Sequence, residues 1–296
     1  PFNDSISMNL SGCLTTTGVE FNPNFKKDKV MVNREEVEGE KKERVSHVLD
    51  IVRKMSGRDW YAKVVSENNF PSDAGIASSA SAFSALALAG SKAAGLNLSL
   101  RELSILARLG SGSACRSVVD GFSLWKKGKS SRTSYAVQLA KPTFWNLVDI
   151  VTVIDQGKKK ASSTEGHEAV LTSPYFRTRL KELKTRIPAL KRAFLKRNLK
   201  EFGRLVEEEA VSLHVSAMTS RPPIFYWNKG TFEVMEAVFK MRERGILAYF
   251  TMDAGPNVHV ICLKKNARRV NNALRKLQFV AFTIINRPDK GTRLIK

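Results

Sequence analysis

Two charged side chains, far apart in the chain, stand in Gly-containing loops where they could do chemistry: Arg116 and Asp253. Arg116 lies in the loop Gly110-Ser111-Gly112-Ser113-Ala114-Cys115-Arg116-Ser117. Its planar guanidinium offers a fork of donors that matches a carboxylate or a phosphate, and the Ser111 and Ser113 hydroxyls add two more. The same loop could instead be a helix start whose Arg pairs with a surface acid. Asp253 stands in Thr251-Met252-Asp253-Ala254-Gly255-Pro256-Asn257, at the end of one apolar run and before another. There it is either a turn-former or a functional acid. A third loop runs Pro71-Ser72-Asp73-Ala74-Gly75-Ile76-Ala77-Ser78-Ser79-Ala80-Ser81. Gly75 would let the backbone approach a ligand, and the helix that begins beyond it would aim free N–H groups and a positive dipole end at an anion. The Lys of a Walker A loop is missing, and a Ser/Ala helix start packed on a neighbour is the plainer alternative. Cys115 reads as a small buried residue, and His259, which alternates into the strand after Asp253, as structural.

The elements that must carry these loops can be read from periodicity. Residues 5–20 suggest two strands around Gly12. Val45, Val48, Leu49 and Val52 recur at helical spacing within residues 40–55, and Ser56-Gly57 stops that helix. Residues 60–65 alternate as a strand, and a small-residue helix then runs to Gly95. Ser99 is a good N-cap for the next helix. A strand is expected at 121–125. In the second half, a strand at 148–154 and a basic loop with Lys158, Lys159 and Lys160 precede two long helices, near 174–198 and 200–218. Pro188 should kink or break the first of these. A helix over 230–244, strands at 248–252 and 258–263, a helix at 266–277 and a strand at 279–286 complete a β-β-α-β run. The reading is α+β, with a boundary near residues 145–160 that divides the chain into 1–150 and 151–296.

Bulk properties exclude several classes. The 296 residues are 43% hydrophobic and 26% charged, which suits a globular protein with a real core. No apolar run reaches the roughly 18 uncharged residues that a membrane span needs. Nothing resembles a secretory leader, so a cytoplasmic location is expected. The chain opens on Pro1 inside what reads as a strand, so its natural N-terminus is expected to lie upstream. Cys13, Cys115 and Cys262 are scattered and unpaired by motif, which argues against a disulfide framework or a zinc site. The 49 Lys and Arg against 28 Asp and Glu give a net charge of +21. Such a field could serve nucleic acid or could steer polyanionic substrates. The dense blocks at 177–200 and 264–276 alternate with apolar residues, as solvated helix faces do. No RNA-binding motif, zinc finger or helix-turn-helix pattern is present, so no specific nucleic-acid partner and no membrane partner is expected.

Taken together the loops resemble one family. NNFPSDAGIASSASAF at 68–83 is similar to the phosphate-binding motif of the GHMP kinases. Its combination with LGSGSACRS at 109–117 and DAGPN at 253–257 resembles the mevalonate diphosphate decarboxylase branch. PFNDSIS at 1–7, SSTEGHEAVLTSP at 162–174 and HVSAMTSRPPIFYW at 214–227 are further matches in the family's order.

The resemblance implies an N-terminal domain of ribosomal-protein-S5 type and a C-terminal ferredoxin-like domain, with the active site between them. It implies ATP and Mg2+ as cofactors and a phosphorylated mevalonate as substrate. The expected reaction converts mevalonate 5-diphosphate to isopentenyl diphosphate, in the mevalonate route of isoprenoid biosynthesis. By carry-over, Asp253 would accept the C3 hydroxyl proton and Arg116 would hold the substrate carboxylate. Ser111 and Ser113 would bind the same anion, and Gly75, Ala77, Ser78 and Ser79 would cradle the ATP phosphates. Ser163 and Thr164 would contact the 5-phosphate end, and Asn3 would sit in the substrate-side strand. Homodimers are usual in the family. The family's K-Y-W-G-K segment should precede Pro1. Asp73 stands where small or hydroxyl residues are commoner and is expected to face solvent. His167 replaces a Met of the family near the 5-phosphate end. Three alternatives remain: the same chemistry on mevalonate 5-phosphate, a mevalonate 3-kinase that stops before decarboxylation, and a basic nucleic-acid-binding protein.

Overall fold

A computed structural model describes residues 1–70, 78–154 and 163–295, with Ser163 and Thr164 described for their backbone alone. The first half contains β1 (Ser5–Met8), β2 (Thr15–Phe21), β3 (Lys29–Val32), β4 (Glu35–Glu36), α1 (Glu40–Ser56), β5 (Ala62–Asn68), α2 (Ser78–Ala93), α3 (Leu100–Gly110), β6 (Phe122–Lys126) and β7 (Tyr135–Ala140). They form two sheets, β1-β6-β7 and β2-β5-β3-β4. β5 alternates strictly, so Ala62, Val64 and Ser66 turn inward. The helices close over that face. Val48, Leu49 and Val52 of α1 meet Leu86 and Ala87 of α2 and Leu103 and Leu106 of α3 in one apolar core. Each buried aliphatic side chain there contributes about 1.5–3 kcal/mol. α1 ends where Gly57 takes a left-handed cap at φ 67°. Ser99 and Glu102 close a capping box at the start of α3.

The second half contains β8 (Leu147–Val153), α4 (Ser163–Ala169), α5 (Phe176–Leu195), α6 (Leu199–Met218), α7 (Lys229–Glu243), β9 (Ala248–Thr251), β10 (Val258–Leu263), α8 (Lys264–Leu274) and β11 (Phe282–Asn286). Its sheet runs β11-β8-β10-β9, every pair antiparallel. Numbered within this half, the order is 4-1-3-2 with helices after strands one and three, which is the ferredoxin-like arrangement. One sheet face, with Val148, Ile150, Val260 and Cys262, packs on Val234 and Val238 of α7 and Val270 and Leu274 of α8.

Of the kink or break expected at Pro188, the break does not occur: α5 runs on through it. Its ring removes the bond to the carbonyl of Lys184, but both residues are exposed, so water can satisfy that carbonyl. The basic block of α5 is partly paired. Arg179 and Arg186 both reach Glu209 of α6, the latter at 3.2 Å, and Arg186 also bonds Glu182 at 2.8 Å.

The halves are joined in two places. The Phe122 ring of β6 lies 4.7 Å from Phe194 of α5, inside a cluster with Trp145 and Phe202. The chain after β11 then laces back onto the first half. Leu10 bridges Pro288, Gly121 N donates to Asp289 O at 2.8 Å, and Thr292 N donates to Ser117 O at 2.9 Å. The last of these bonds anchors the residue next to Arg116.

Candidate active site

The last residue of α3 must be glycine because the Phe83 ring occupies the space of a side chain there; a Cβ added to Gly110 would lie 2.1 Å from it. Ser111 then turns extended, and Gly112–Ser117 winds into a short 3-10 helix that carries Arg116. Ser79, in the first turn of α2, meets this loop: its Oγ is 3.0 Å from Ser111 Oγ, and Ser111 Oγ is 3.4 Å from Ser113 Oγ. Two of the three loops singled out in the sequence therefore share one hydroxyl cluster. The first turn of α2 carries no acid, so its dipole end remains favourable to an anion. Ser78 lies beside Ser79, and its carbonyl accepts from Ser81 Oγ at 3.0 Å. Gly75, Ala77 and Asp73 lie outside the described residues.

Arg116 is held from two sides. Its Nη1 donates to Ser5 Oγ of β1 at 2.9 Å, and its guanidinium stands over the Trp125 ring of β6, 5.6 Å from the centroid. Gly112 fits against the same indole, where a Cβ would touch at 3.4 Å. Cys115 is fully buried, and burial pushes its thiol up to about 12, so it stays protonated and is no nucleophile.

Asp253 is exposed in the connection from β9 to β10. The turn behind it is pinned: buried Asn257 accepts from Ile154 N at 2.7 Å, and Thr231 Oγ1 donates to Pro256 O at 2.8 Å. Three histidines from three elements feel the Asp253 charge: His167 on α4, His214 on α6 and His259 on β10. For His167, desolvation lowers the pKa, Asp253 raises it and Arg116 lowers it. One imidazole thus lies within the field of both the carboxylate and the guanidinium, although they are far apart in sequence.

His214 is almost fully buried, and desolvation pulls it down to about 4, so it is neutral at pH 7. Its ring sits 5.1 Å from Trp227 and 5.7 Å from Tyr226. Asp253 backbone lies near it, yet neither ring nitrogen completes a hydrogen bond. His259 Nδ1 and Asp149 Oδ2 are 2.8 Å apart on adjacent strands.

Other sequence candidates fall as follows. Asn3 Nδ2 donates to the Asp4 carbonyl at 2.7 Å, so its amide is turned onto its own chain. Its neighbour Phe2 packs edge-on against Phe176 of α5 at 5.4 Å, which brings this segment against the second half. Ser163 and Thr164 open α4, the helix that bears His167. Among the described residues no group of three or more His, Cys, Asp or Glu converges to hold a metal. A cavity of about 250 Å³ opens between β2, α2 and residues 290–295, with Thr15, Thr17, Ser81, Ser84 and Thr292 in its wall. Arg116, Asp253, Ser111 and Ser113 do not line it.

Sequence reasoning missed Ser5 and Trp125 as the holders of Arg116, His214 as a neighbour of the Asp253 turn, and Asp149 as the partner of His259. Ser5 and His214 stood in plain view inside quoted stretches, but only pairing across strands and helices gives them a role. Among the described residues, no helix is long and apolar enough to cross a membrane.

Comparison with known proteins gives this geometry a family. Residues 1–136 match the family model of a diphosphomevalonate decarboxylase-like N-terminal domain. Residues 149–289 match that of the mevalonate 5-diphosphate decarboxylase C-terminal domain. The diphosphomevalonate decarboxylase of Debaryomyces hansenii is 34% identical, over 93% of this chain and 76% of that protein. The phosphomevalonate decarboxylase of Haloferax volcanii is 32% identical, over 93% of this chain and 84% of that protein. A solved structure of MDDEF in complex with MVAPP, AMPPCP and magnesium superposes with a TM-score of 0.94 at 35% identity, covering 100% of this chain and 91% of that one. Its two-domain organisation, the GHMP kinase fold, is the one seen here. The chain belongs to the mevalonate diphosphate decarboxylase family.

Proposed function

We propose that this protein uses ATP to phosphorylate and decarboxylate mevalonate 5-diphosphate, giving isopentenyl diphosphate. The observation that carries the reading is that the Asp253 carboxylate and the Arg116 guanidinium both act on one imidazole, that of His167. A tertiary alcohol is a poor nucleophile and hydroxide a worse leaving group, so the site must help the first and replace the second. The exposed Asp253 carboxylate accepts the C3 hydroxyl proton as that oxygen takes the γ-phosphoryl group of ATP. The C3–O bond then breaks with loss of phosphate. The C1–C2 pair becomes the C2–C3 double bond, and the carboxylate leaves as CO2. Arg116, fixed by Ser5 and Trp125, orients that carboxylate until it departs.

The Ser79, Ser111 and Ser113 hydroxyls, with the start of α2, suit the phosphate oxygens of the bound anions. Ser78 and the Gly75–Ala77 stretch belong with them by the family's motif, and Ser163 and Thr164 with the 5-phosphate. These hydroxyl and amide donors fit ATP better than a bare metal ion, so Mg2+ would be held mainly by phosphate oxygens and water. When bound, the ion would neutralise charge during phosphoryl transfer.

A second reading, the same chemistry on mevalonate 5-phosphate, is favoured by the likeness to the Haloferax volcanii protein. The test is to incubate full-length protein with Mg-ATP and each substrate, measuring ADP and CO2. Release of CO2 only from the monophosphate would select the second reading. Three-phosphorylated product without CO2 would leave a kinase, and turnover of neither would end both readings.

A further inference from the structure

Arg116 stands between two carbonyls, each held from outside the short 3-10 helix that carries it. The carbonyl before it, that of Cys115, accepts from Ser104 Oγ of α3 at 3.1 Å, and the same hydroxyl accepts from Ala136 N of β7 at 2.8 Å. Ser104 and Cys115 are both fully buried, so this side is fixed inside the first half. The carbonyl after it, that of Ser117, accepts twice from a residue 175 positions later in the chain. Thr292 N donates to it at 2.9 Å and Thr292 Oγ1 at 3.1 Å. The main chain of Arg116 is therefore clamped by α3 on one side and by the segment after β11 on the other.

That segment is itself firmly seated. Arg287 O accepts from Ser11 N at 3.1 Å, and Asp289 N donates to Asn9 O at 3.2 Å. Asp289 O accepts from Gly121 N at 2.8 Å, and Gly291 N donates to Asp120 Oδ1 at 2.7 Å. Residues 287–292 thus run between the stretch that follows β1 and residues 117–121, bonded to both. Asn9 Nδ2 donates to Val119 O at 2.6 Å and joins these two flanks to each other. The fit is closest at Gly291, where an added Cβ would lie 2.5 Å from Val118 O and 2.7 Å from Val119 C and O. Those are backbone atoms of a stretch whose side chains are buried, so they cannot yield as the end of a flexible side chain would. A side chain at position 291 would have to lift the segment, and with it both Thr292 donors.

We infer that Thr292, seated by the close approach of Gly291, is a positioning residue for Arg116, holding the main chain from which that side chain reaches the substrate. The inference rests on the reading of Arg116 as the group that binds the substrate carboxylate. Ser5 and Trp125 fix the guanidinium at its tip, and the two pinned carbonyls fix its root. A shift at the root cannot be made good at the tip without giving up the Ser5 bond or the place over the indole. Misplacing by about 1 Å a group that orients a reacting substrate can cost up to about 10²-fold in rate. β11 lies in the same sheet as β9 and β10, which flank Asp253, so the segment also ties the Arg116 loop to the sheet that carries the proposed base.

The experiment has two arms and three variants of the full-length protein. Thr292→Val keeps the main-chain donor and removes the hydroxyl, Thr292→Ser keeps both donors, and Gly291→Ala lifts the segment. In the first arm the Arg116 Nε–H signal, assigned by its loss in Arg116→Gln, is followed by NMR. It should move or broaden in Gly291→Ala and in Thr292→Val, and stay in place in Thr292→Ser. A signal unmoved in Thr292→Val overturns the inference, whether or not Gly291→Ala folds. In the second arm, kcat on the phosphorylated mevalonate should fall about tenfold in Gly291→Ala and about threefold in Thr292→Val. KM for ATP should be unchanged, and Thr292→Ser should run near the wild-type rate. In an Arg116→Gln background the same substitutions should cost nothing further, because the group they position is gone. Losses that add in full to that of Arg116→Gln would mark a general structural role and overturn the inference. Wild-type protein that turns over neither substrate would sink the proposed reaction instead, and the NMR arm would still decide whether Thr292 holds Arg116.

Discussion

Arg116 Nη1 donates to Ser5 Oγ at 2.9 Å, and this bond ties the Gly/Ser loop after α3 to the first strand of the protein. The Trp125 ring supports the same guanidinium from its face. Arg116→Gln should therefore cost about 10²–10³ in kcat, since it loses the charge and the fork that orient the substrate carboxylate. Ser5→Ala keeps the charge and frees its direction, so a loss nearer tenfold is expected. Steady-state kinetics of both variants check this. Equal rates for Arg116→Gln and wild type would place Arg116 outside the site.

Asp253 is exposed and sits on a turn fixed by Asn257 and Thr231. Asp253→Asn should leave the fold intact and ATP affinity unchanged by calorimetry. Removing the proton acceptor should cost at least about 10²–10⁴ in turnover. A variant that turns over at a near-normal rate would remove Asp253 from the mechanism.

The buried histidines make stability depend on pH in two opposite ways. His214 goes from an ordinary 6.5 to about 4 on folding. Between those values the unfolded chain binds a proton that the folded chain refuses, so stability falls as pH drops through that window. His259 goes from 6.5 to about 9. Its contribution is full below 6.5 and is lost as pH rises through about 9. Tm should thus be highest near neutrality and decline on both sides. His214→Phe should flatten the acidic slope, and His259→Gln the alkaline one. Scanning calorimetry across pH 4–10 reads both slopes, and an unchanged acidic slope in His214→Phe would contradict the first assignment.

Much of this architecture was legible because it depends on local rules. The α1 stop at Gly57 follows from glycine's freedom at φ 67°, and the start of α3 from a Ser-x-x-Glu box. β3, β4 and β7 escaped notice because they run for four, two and six residues, too short or too weakly alternating to stand out. Pro188 does not break α5, because the carbonyl that loses its partner belongs to Lys184, an exposed residue that water can reach. The motifs named Arg116 and Asp253 as neighbours, but what holds each in place depends on partners distant in sequence. Ser5 meets Arg116 across 111 residues and Asp149 meets His259 across 110, and no periodicity encodes such pairings.

Gly166 is the point where α4 rests on the aromatic cluster below it. A Cβ there would lie 2.3 Å from Tyr226 Oη, a hydroxyl that is buried and fixed by its ring against His214. Tyr226 cannot swing clear without disturbing His214 and Trp227, so Gly166→Ala should lift α4 instead. That helix carries His167, and it begins with the Ser163-Thr164 pair assigned to the 5-phosphate end. A displacement of about 1 Å in such a positioning element can cost up to about 10²-fold in rate. The expected outcome is a rise of about 3–10-fold in KM for the phosphorylated mevalonate with KM for ATP little changed, because the ATP-side hydroxyls sit on α2 and the loop after α3. Parallel rises in both constants would mean that α4 does not serve one substrate alone, and the assignment of this helix to the 5-phosphate end would have to be withdrawn.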